Sequence, residues 1–150
     1  MTVTIRLTAP GHPLFAEAAE LLDEYRQHYG ANPAPEAVAE WIRDLVSSDR
    51  MRVYAAGPGD RVDGVCTVAV IPATLTLRTV WLLRDLYVDS DVRRGGVARA
   101  LLAHVADAAR AEGAHRLSLQ TEAGNRGALE LYAKAGFEPI GDVALLHRFL

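Results

Sequence analysis

The chain holds a single cysteine, Cys66, which rules out an internal disulfide. Flanked by Val65, Thr67 and Val68, it reads as a small buried hydrophobe. Lysine is nearly missing too: Lys134 stands alone among 16 basic residues, and the rest are arginine. No stretch approaches the ~18 apolar residues of a membrane-spanning helix. The opening Met1-Thr2-Val3-Thr4-Ile5-Arg6 lacks a signal-peptide core. The expectation is a soluble, cytoplasmic protein with no membrane partner. A net charge of −3 argues against nucleic acid as the main partner. The five histidines show no ligand spacing with cysteines or carboxylates, so no metal site is expected. Two nucleotide patterns are missing as well. No Lys-Ser or Lys-Thr follows the glycines, and no three-glycine dinucleotide fingerprint lies near the chain start.

What is present suits one domain with a sizeable core: 150 residues, 50% of them hydrophobic. Val3, Ile5 and Leu7 alternate with polar residues, predicting a half-buried strand over 2–8. Leu14, Ala18, Leu21, Leu22 and Tyr25 mark a helix over 13–29, and Pro35 opens a second one carrying Val38, Trp41, Ile42 and Leu45. Trp41, at helical spacing with Val38 and Leu45, reads as core, and so does Trp81. Strands follow at 52–56, 62–71 and 80–88, then a helix over 97–112 and a strand over 116–121. A helix over 126–135 ends at Gly136, a suitable C-cap, and 137–140 and 143–150 read as two closing strands. The order is that of a mixed α/β layer fold.

The most informative segment is Arg93-Arg94-Gly95-Gly96-Val97-Ala98, where a strand gives way to a helix. Paired glycines let the backbone turn tightly and expose several N–H groups, and the helix dipole and the arginines add positive charge. Such a site suits a pyrophosphate. By glycine and charge alone, a turn carrying solvated arginines fits equally well.

Arg93, Gly96 and Ala98 resemble the core motif of the GCN5-related N-acetyltransferases: Arg or Gln, two residues, Gly, one residue, Gly or Ala. Asp85-Leu86-Tyr87-Val88 is similar to that family's fourth strand, and the stretch from Asn125 to Phe137 resembles its second conserved block. The resemblance is detailed from Trp81 to Phe137. It implies a mixed, mostly antiparallel α/β sheet of about seven strands, splayed between the fourth and fifth, with about four helices on its faces. It also implies acetyl-CoA as the cofactor. The backbone of Leu86, Tyr87 and Val88 would meet its pantetheine arm, and Arg93, Arg94, Gly95, Gly96, Val97, Ala98 and Arg99 its phosphates. Asn125, which also suits an N-cap, Ala128 and Tyr132 would complete the cofactor contacts.

Acetyl transfer to an amine requires deprotonation of the amine, stabilisation of an oxyanion and protonation of the departing thiolate. Tyr132 stands where the family has its general acid, and a phenol with a pKa of roughly 10 suits a thiolate. As a plain residue it also fits a helix core, since Leu129 and Ala133 share its face. Asp85, a carboxylate in an otherwise apolar strand, asks for a reason to be there. It is the candidate base or amine anchor; the alternative is a structural ion pair with Arg84 or Arg78. Many relatives carry a second acid where this chain has Arg84, so a two-carboxylate amine site is in doubt. Glu122 is a further amine-site candidate or a solvated loop residue. The acceptor side falls on Tyr25, His28, Tyr29, Trp41 and the turn 72–79, with Tyr29 a candidate pocket wall.

The resulting expectation is an acetyl-CoA-dependent N-acetyltransferase moving an acetyl group to a primary amine, a small-molecule substrate, by direct attack. The alternatives are a non-catalytic acyl-CoA-binding module and an acetyltransferase of protein lysines or N-termini. Homodimers are common in the family, and the apolar C-terminal strand offers an edge for one. The arginine-rich composition is read as a coding bias of a GC-rich bacterial source.

Overall fold

Alternation and helical periodicity produce the elements β1 (Val3–Leu7), α1 (Phe15–His28), α2 (Pro35–Ser47), β2 (Arg52–Gly57), β3 (Gly64–Ala73), β4 (Arg78–Val88), α3 (Val97–Ala111), β5 (Arg116–Leu119) and α4 (Arg126–Lys134). A single 3-10 turn, Ser90–Val92, joins β4 to the loop before α3. The computed structural model describes all residues from Met1 to Leu150. They divide into two units, Met1–Gln120 and Thr121–Leu150.

In the first unit the sheet runs β1-β2-β3-β4-β5, antiparallel except for the parallel pair β4 and β5. Neighbouring residues of a strand face opposite sides, which separates two layers. Leu7, Val53, Ala55 and Val65 face α1 and α2, packing with Leu22, Val38, Ile42 and Leu45. On the other side α3 buries Val97, Leu101, Leu102, Val105 and Ala109, and His104 meets the Tyr54 ring at 5.6 Å. Gly64 lets α3 come this close: a Cβ there would stand 2.6 Å from Val97 Cγ1.

The register of β4 contains one irregularity. Thr67 faces Asp85 but Val68 faces Leu83, so Arg84 is an extra residue, a β-bulge. Trp81 and Leu83 are buried on the α3 side, with the Arg52 guanidinium 4.8 Å above the Trp81 ring. Uninterrupted alternation would send Asp85 and Tyr87 the same way. The bulge turns both toward α1 and α2, where Tyr87 packs against the core.

The sheet has five strands, not about seven. The two closing strands expected over 137–140 and 143–150 do not form, and β5 stops at Leu119 instead of Thr121. Alternation selects a face only once a partner supplies the hydrogen-bond ladder. Here β5 pairs with β4 alone, and Ile140, Val143, Leu145, Leu146 and Phe149 are exposed.

In the second unit, Asn125 Oδ1 accepts a hydrogen bond from the Ala128 N–H at 3.1 Å, capping α4. The helix closes with Phe137 N–H on the Tyr132 carbonyl (2.9 Å) and Gly136 N–H on the Ala133 carbonyl (3.1 Å). Gly136 takes the φ of +92° that this ending needs.

Candidate active site

The parallel ladder covers only Val80–Leu83 of β4. From Asp85 to Val88 the strand is paired with β3 on one side, and from Arg84 onward its other edge has no strand partner. Backbone N–H and C=O groups along that edge meet no neighbouring strand and suit an extended ligand. Arg93 Nε donates to one of them, the Val88 carbonyl, at 3.2 Å.

The Asp85 side chain belongs to this same stretch. Its Oδ2 accepts a hydrogen bond from the Thr67 hydroxyl, the residue directly across the ladder. The Tyr25 phenol of α1 lines the same cavity, and burial, reinforced by the Asp85 charge, pushes its pKa well up. Tyr25 therefore remains a neutral donor throughout the working pH range. Asp85 makes no salt bridge: Arg78 donates instead to the carbonyls of Gly113 (3.0 Å) and Ala114 (2.9 Å), and Arg84 is exposed. No ion pair with Arg84 or Arg78 forms, and the carboxylate is oriented by the Thr67 hydroxyl.

Above Asp85, the connection between α1 and α2 is fixed by a buried carboxylate. Asp23 accepts from Arg26 Nη1 (2.9 Å), Gln27 Nε2 (3.1 Å) and the Ala34 N–H (3.1 Å). Arg26 also donates to the Asn32 carbonyl at 3.3 Å. The two helices enclose a cavity of about 290 Å³, with Asp85 and Thr67 in its lining beside Tyr25, Leu22, Trp41 and Ile42. Trp41 is not core, as its spacing implied. It is 63% exposed and lines this cavity, because it lies at the margin of the α2 stripe that buries Val38, Ile42 and Leu45. Tyr29 is exposed and outside the lining, its ring 5.2 Å from Tyr25 and 5.3 Å from His28.

The glycine segment turns the chain sharply into α3. Arg94 (φ +67°) and Gly96 (φ +84°) both adopt the left-handed conformation, which gathers successive N–H groups at the start of α3. No side chain caps this helix, so its first-turn N–H groups have no intrahelical acceptors. Gly95, Arg94 and Arg99 are exposed, Ala98 is half-buried and Val97 is buried beneath. The Arg93 guanidinium lies 5.4 Å from the Tyr87 ring, holding the loop to the end of β4. This donor set fits a phosphorylated ligand, and the open β4 edge fits an extended amide-bearing one.

The second unit holds Glu122, exposed, with its carbonyl accepting the Asn125 N–H at 3.0 Å. Tyr132 is half-buried on α4, its ring 6.0 Å from Phe137. Cys66 is fully buried on the α3 side, and desolvation followed by the Asp85 charge raises its thiol pKa. It is inert as a nucleophile. Thr67, Asp23 and Arg26 escaped the sequence reading. Their signals were a hydroxyl within an apolar strand run and a carboxylate directly after Leu21-Leu22 on a helix.

The profile of the Acetyltransferase (GNAT) family matches residues 16–137. The chain belongs to that family, and it is an acetyltransferase. Among curated proteins it is similar to the uncharacterized N-acetyltransferase YhfO of Bacillus subtilis (strain 168), 26% identical over 132 residues, covering 88% of this chain and 87% of YhfO. A crystal structure of a probable acetyltransferase superposes with a TM-score of 0.89 at 26% identity, covering 99% of this chain and 98% of the other. The fold is shared with the aminoglycoside acetyltransferase meta-AAC0020 from an uncultured soil metagenomic sample (TM-score 0.82, 18% identity, 99% and 96% covered). No helix is long and apolar enough to cross a membrane.

Proposed function

We propose that this enzyme is an acetyl-CoA-dependent N-acetyltransferase acting on a primary amine of a small molecule by direct attack. One observation carries the reading: the stretch Arg84–Val88 of β4, which β5 does not cover, also bears the one carboxylate lining the α1–α2 cavity. Donor and acceptor are then brought together on a single segment of chain. Acetyl-CoA supplies the activated acetyl group as a thioester. The N–H groups at the start of α3, with Arg94, would hold its phosphates, and Leu86, Tyr87 and Val88 would offer backbone partners to its pantetheine arm.

Asp85 anchors the amine and takes a proton from it, directly or through a water, while Thr67 keeps the carboxylate aimed. Tyr132 supplies the proton that the departing thiolate needs, and Asn125 and Ala128 add contacts to the cofactor. The family match, residues 16–137, extends into both units. The exposed apolar side chains of 140–150 fit a homodimer contact, which sedimentation would test.

Calorimetric titration with acetyl-CoA, with dephospho-CoA as control, tests the cofactor. Binding that weakens with the phosphate removed supports the reading; no binding by the folded protein sinks it. Gly96→Glu, which adds bulk and negative charge at a left-handed backbone position, should abolish that binding. Tyr132→Phe should lower kcat at least ~10-fold with acetyl-CoA affinity unchanged; undiminished turnover removes its role as acid.

A further inference from the structure

We infer that the acceptor is a monoamine with an apolar, aryl or alkyl body, and not a polycation such as a polyamine or aminoglycoside. The inference rests on the preceding reading of Asp85 as the amine anchor and concerns the walls around it. The cavity has two ionisable partners of opposite sign, Asp85 and Arg26. One carboxylate satisfies one ammonium. Of the two hydroxyls of the lining, Thr67 is already committed to Asp85, and the other, Tyr25, is an uncharged phenol that offers no second anion. The rest is apolar, including Leu22, Trp41, Ile42, Leu45 and Met51.

A second ammonium within this cavity would be stripped of water against hydrocarbon and face the Arg26 guanidinium. Arg26 is tied to Asp23 and to the Asn32 carbonyl, so it stays in place. The acidic neighbours of Glu24 (Glu20, Asp89 and Asp91) lie outside the lining and supply no second anchor within it. A volume of about 290 Å³ is at the small end for ligand sites and matches a one-ring amine. Trp41 gives the substrate's body a partner. It is a large ring left 63% exposed on a helix that buries its other large apolar residues, Val38, Ile42, Leu45 and Val46.

The test is thiol release from acetyl-CoA by the full-length protein, with phenethylamine, hexylamine, spermidine and kanamycin as acceptors. The inference predicts kcat/KM at least ~100-fold higher for phenethylamine than for spermidine or kanamycin, since the second charge has no partner. Trp41→Ala removes an exposed side chain, so the fold survives. It should raise the phenethylamine KM about 10-fold with little change in kcat. Ala37→Glu places a second carboxylate on the cavity lining and should raise spermidine kcat/KM about 10-fold.

Polycations acetylated as well as or better than phenethylamine would overturn the inference and leave the acetyltransferase reading intact. Intact acetyl-CoA binding, with no monoamine acetylated and Trp41 fluorescence unmoved by phenethylamine, would overturn it too. Absence of both acetyl-CoA binding and turnover would overturn the inference together with the reading beneath it.

Discussion

The two halves of β4 are chemically adjacent and physically unlike. Val80–Leu83 is bonded on both sides, by β3 and β5, and buries Trp81 and Leu83 against α3. Asp85–Val88 is bonded on one side, and its side chains are half-buried. A single inserted residue, Arg84, separates them and reverses which face the following side chains address. The first half is concerned with holding the sheet together. The second has open backbone groups, a carboxylate and a cavity, the features that chemistry needs and stability does not.

Paired substitutions break the comparison most sharply. Trp81→Ala should cost about 3–5 kcal/mol of stability, the range for deleting a buried aromatic ring. Asp85→Asn should leave the denaturation midpoint nearly unchanged and lower kcat by about 10²–10⁴-fold. Chemical denaturation and steady-state kinetics on both proteins check this. Equal losses of stability in the two variants would erase the distinction.

Gly64→Ala probes the packing behind the open half. With Val97 Cγ1 2.6 Å and Leu101 Cδ1 3.2 Å from the added carbon, α3 must shift. We expect a loss of about 1–3 kcal/mol and weaker acetyl-CoA binding, because the displaced end of α3 carries the proposed phosphate site.

The smallest effect concerns the ion pair over the closed half, where Arg52 lies across Trp81 and bonds Glu112 at 2.6 Å and 3.1 Å. That hydrogen bond holds the Glu112 pKa below its ordinary value. A lowered carboxylate pKa stabilises the folded state above the unfolded value of ~4.3 and ceases to do so as the pH falls through the folded value. The Glu112 side chain is 50% exposed, so Glu112→Gln should cost at most about 1 kcal/mol at pH 7. The difference should vanish in acid; a difference that grows there would contradict the assignment.

Much of this molecule was legible in its residues. The helices begin and end within two residues of their periodic patterns, because apolar stripes, Pro35 and Gly136 mark their limits directly. The glycine segment and Asp85 stood out for the same reason, being residue types out of keeping with their surroundings. Pairing was less accessible. The segment after Phe137 alternates like a strand, yet no partner takes it up. Nor does alternation reveal an inserted residue, so the bulge at Arg84 was hidden, although the change from Trp81 and Leu83 to Asp85 and Tyr87 at the same parity is its trace. Trp41 was misplaced because spacing locates a residue on a stripe without saying whether the stripe's margin is covered. Thr67 needed the fold itself, since its partner lies 18 residues away, and so did the bond that ties Asp23 to Ala34, 11 residues on.

Hydrogen exchange across β4, followed by mass spectrometry with and without saturating acetyl-CoA, addresses the central claim most directly. The account predicts slow exchange over Val80–Leu83 in both states, and faster exchange over Arg84–Val88 that slows markedly once the cofactor is bound. Unchanged exchange over Arg84–Val88 in the saturated protein would contradict the assignment of that open edge as the place where the acetyl donor binds.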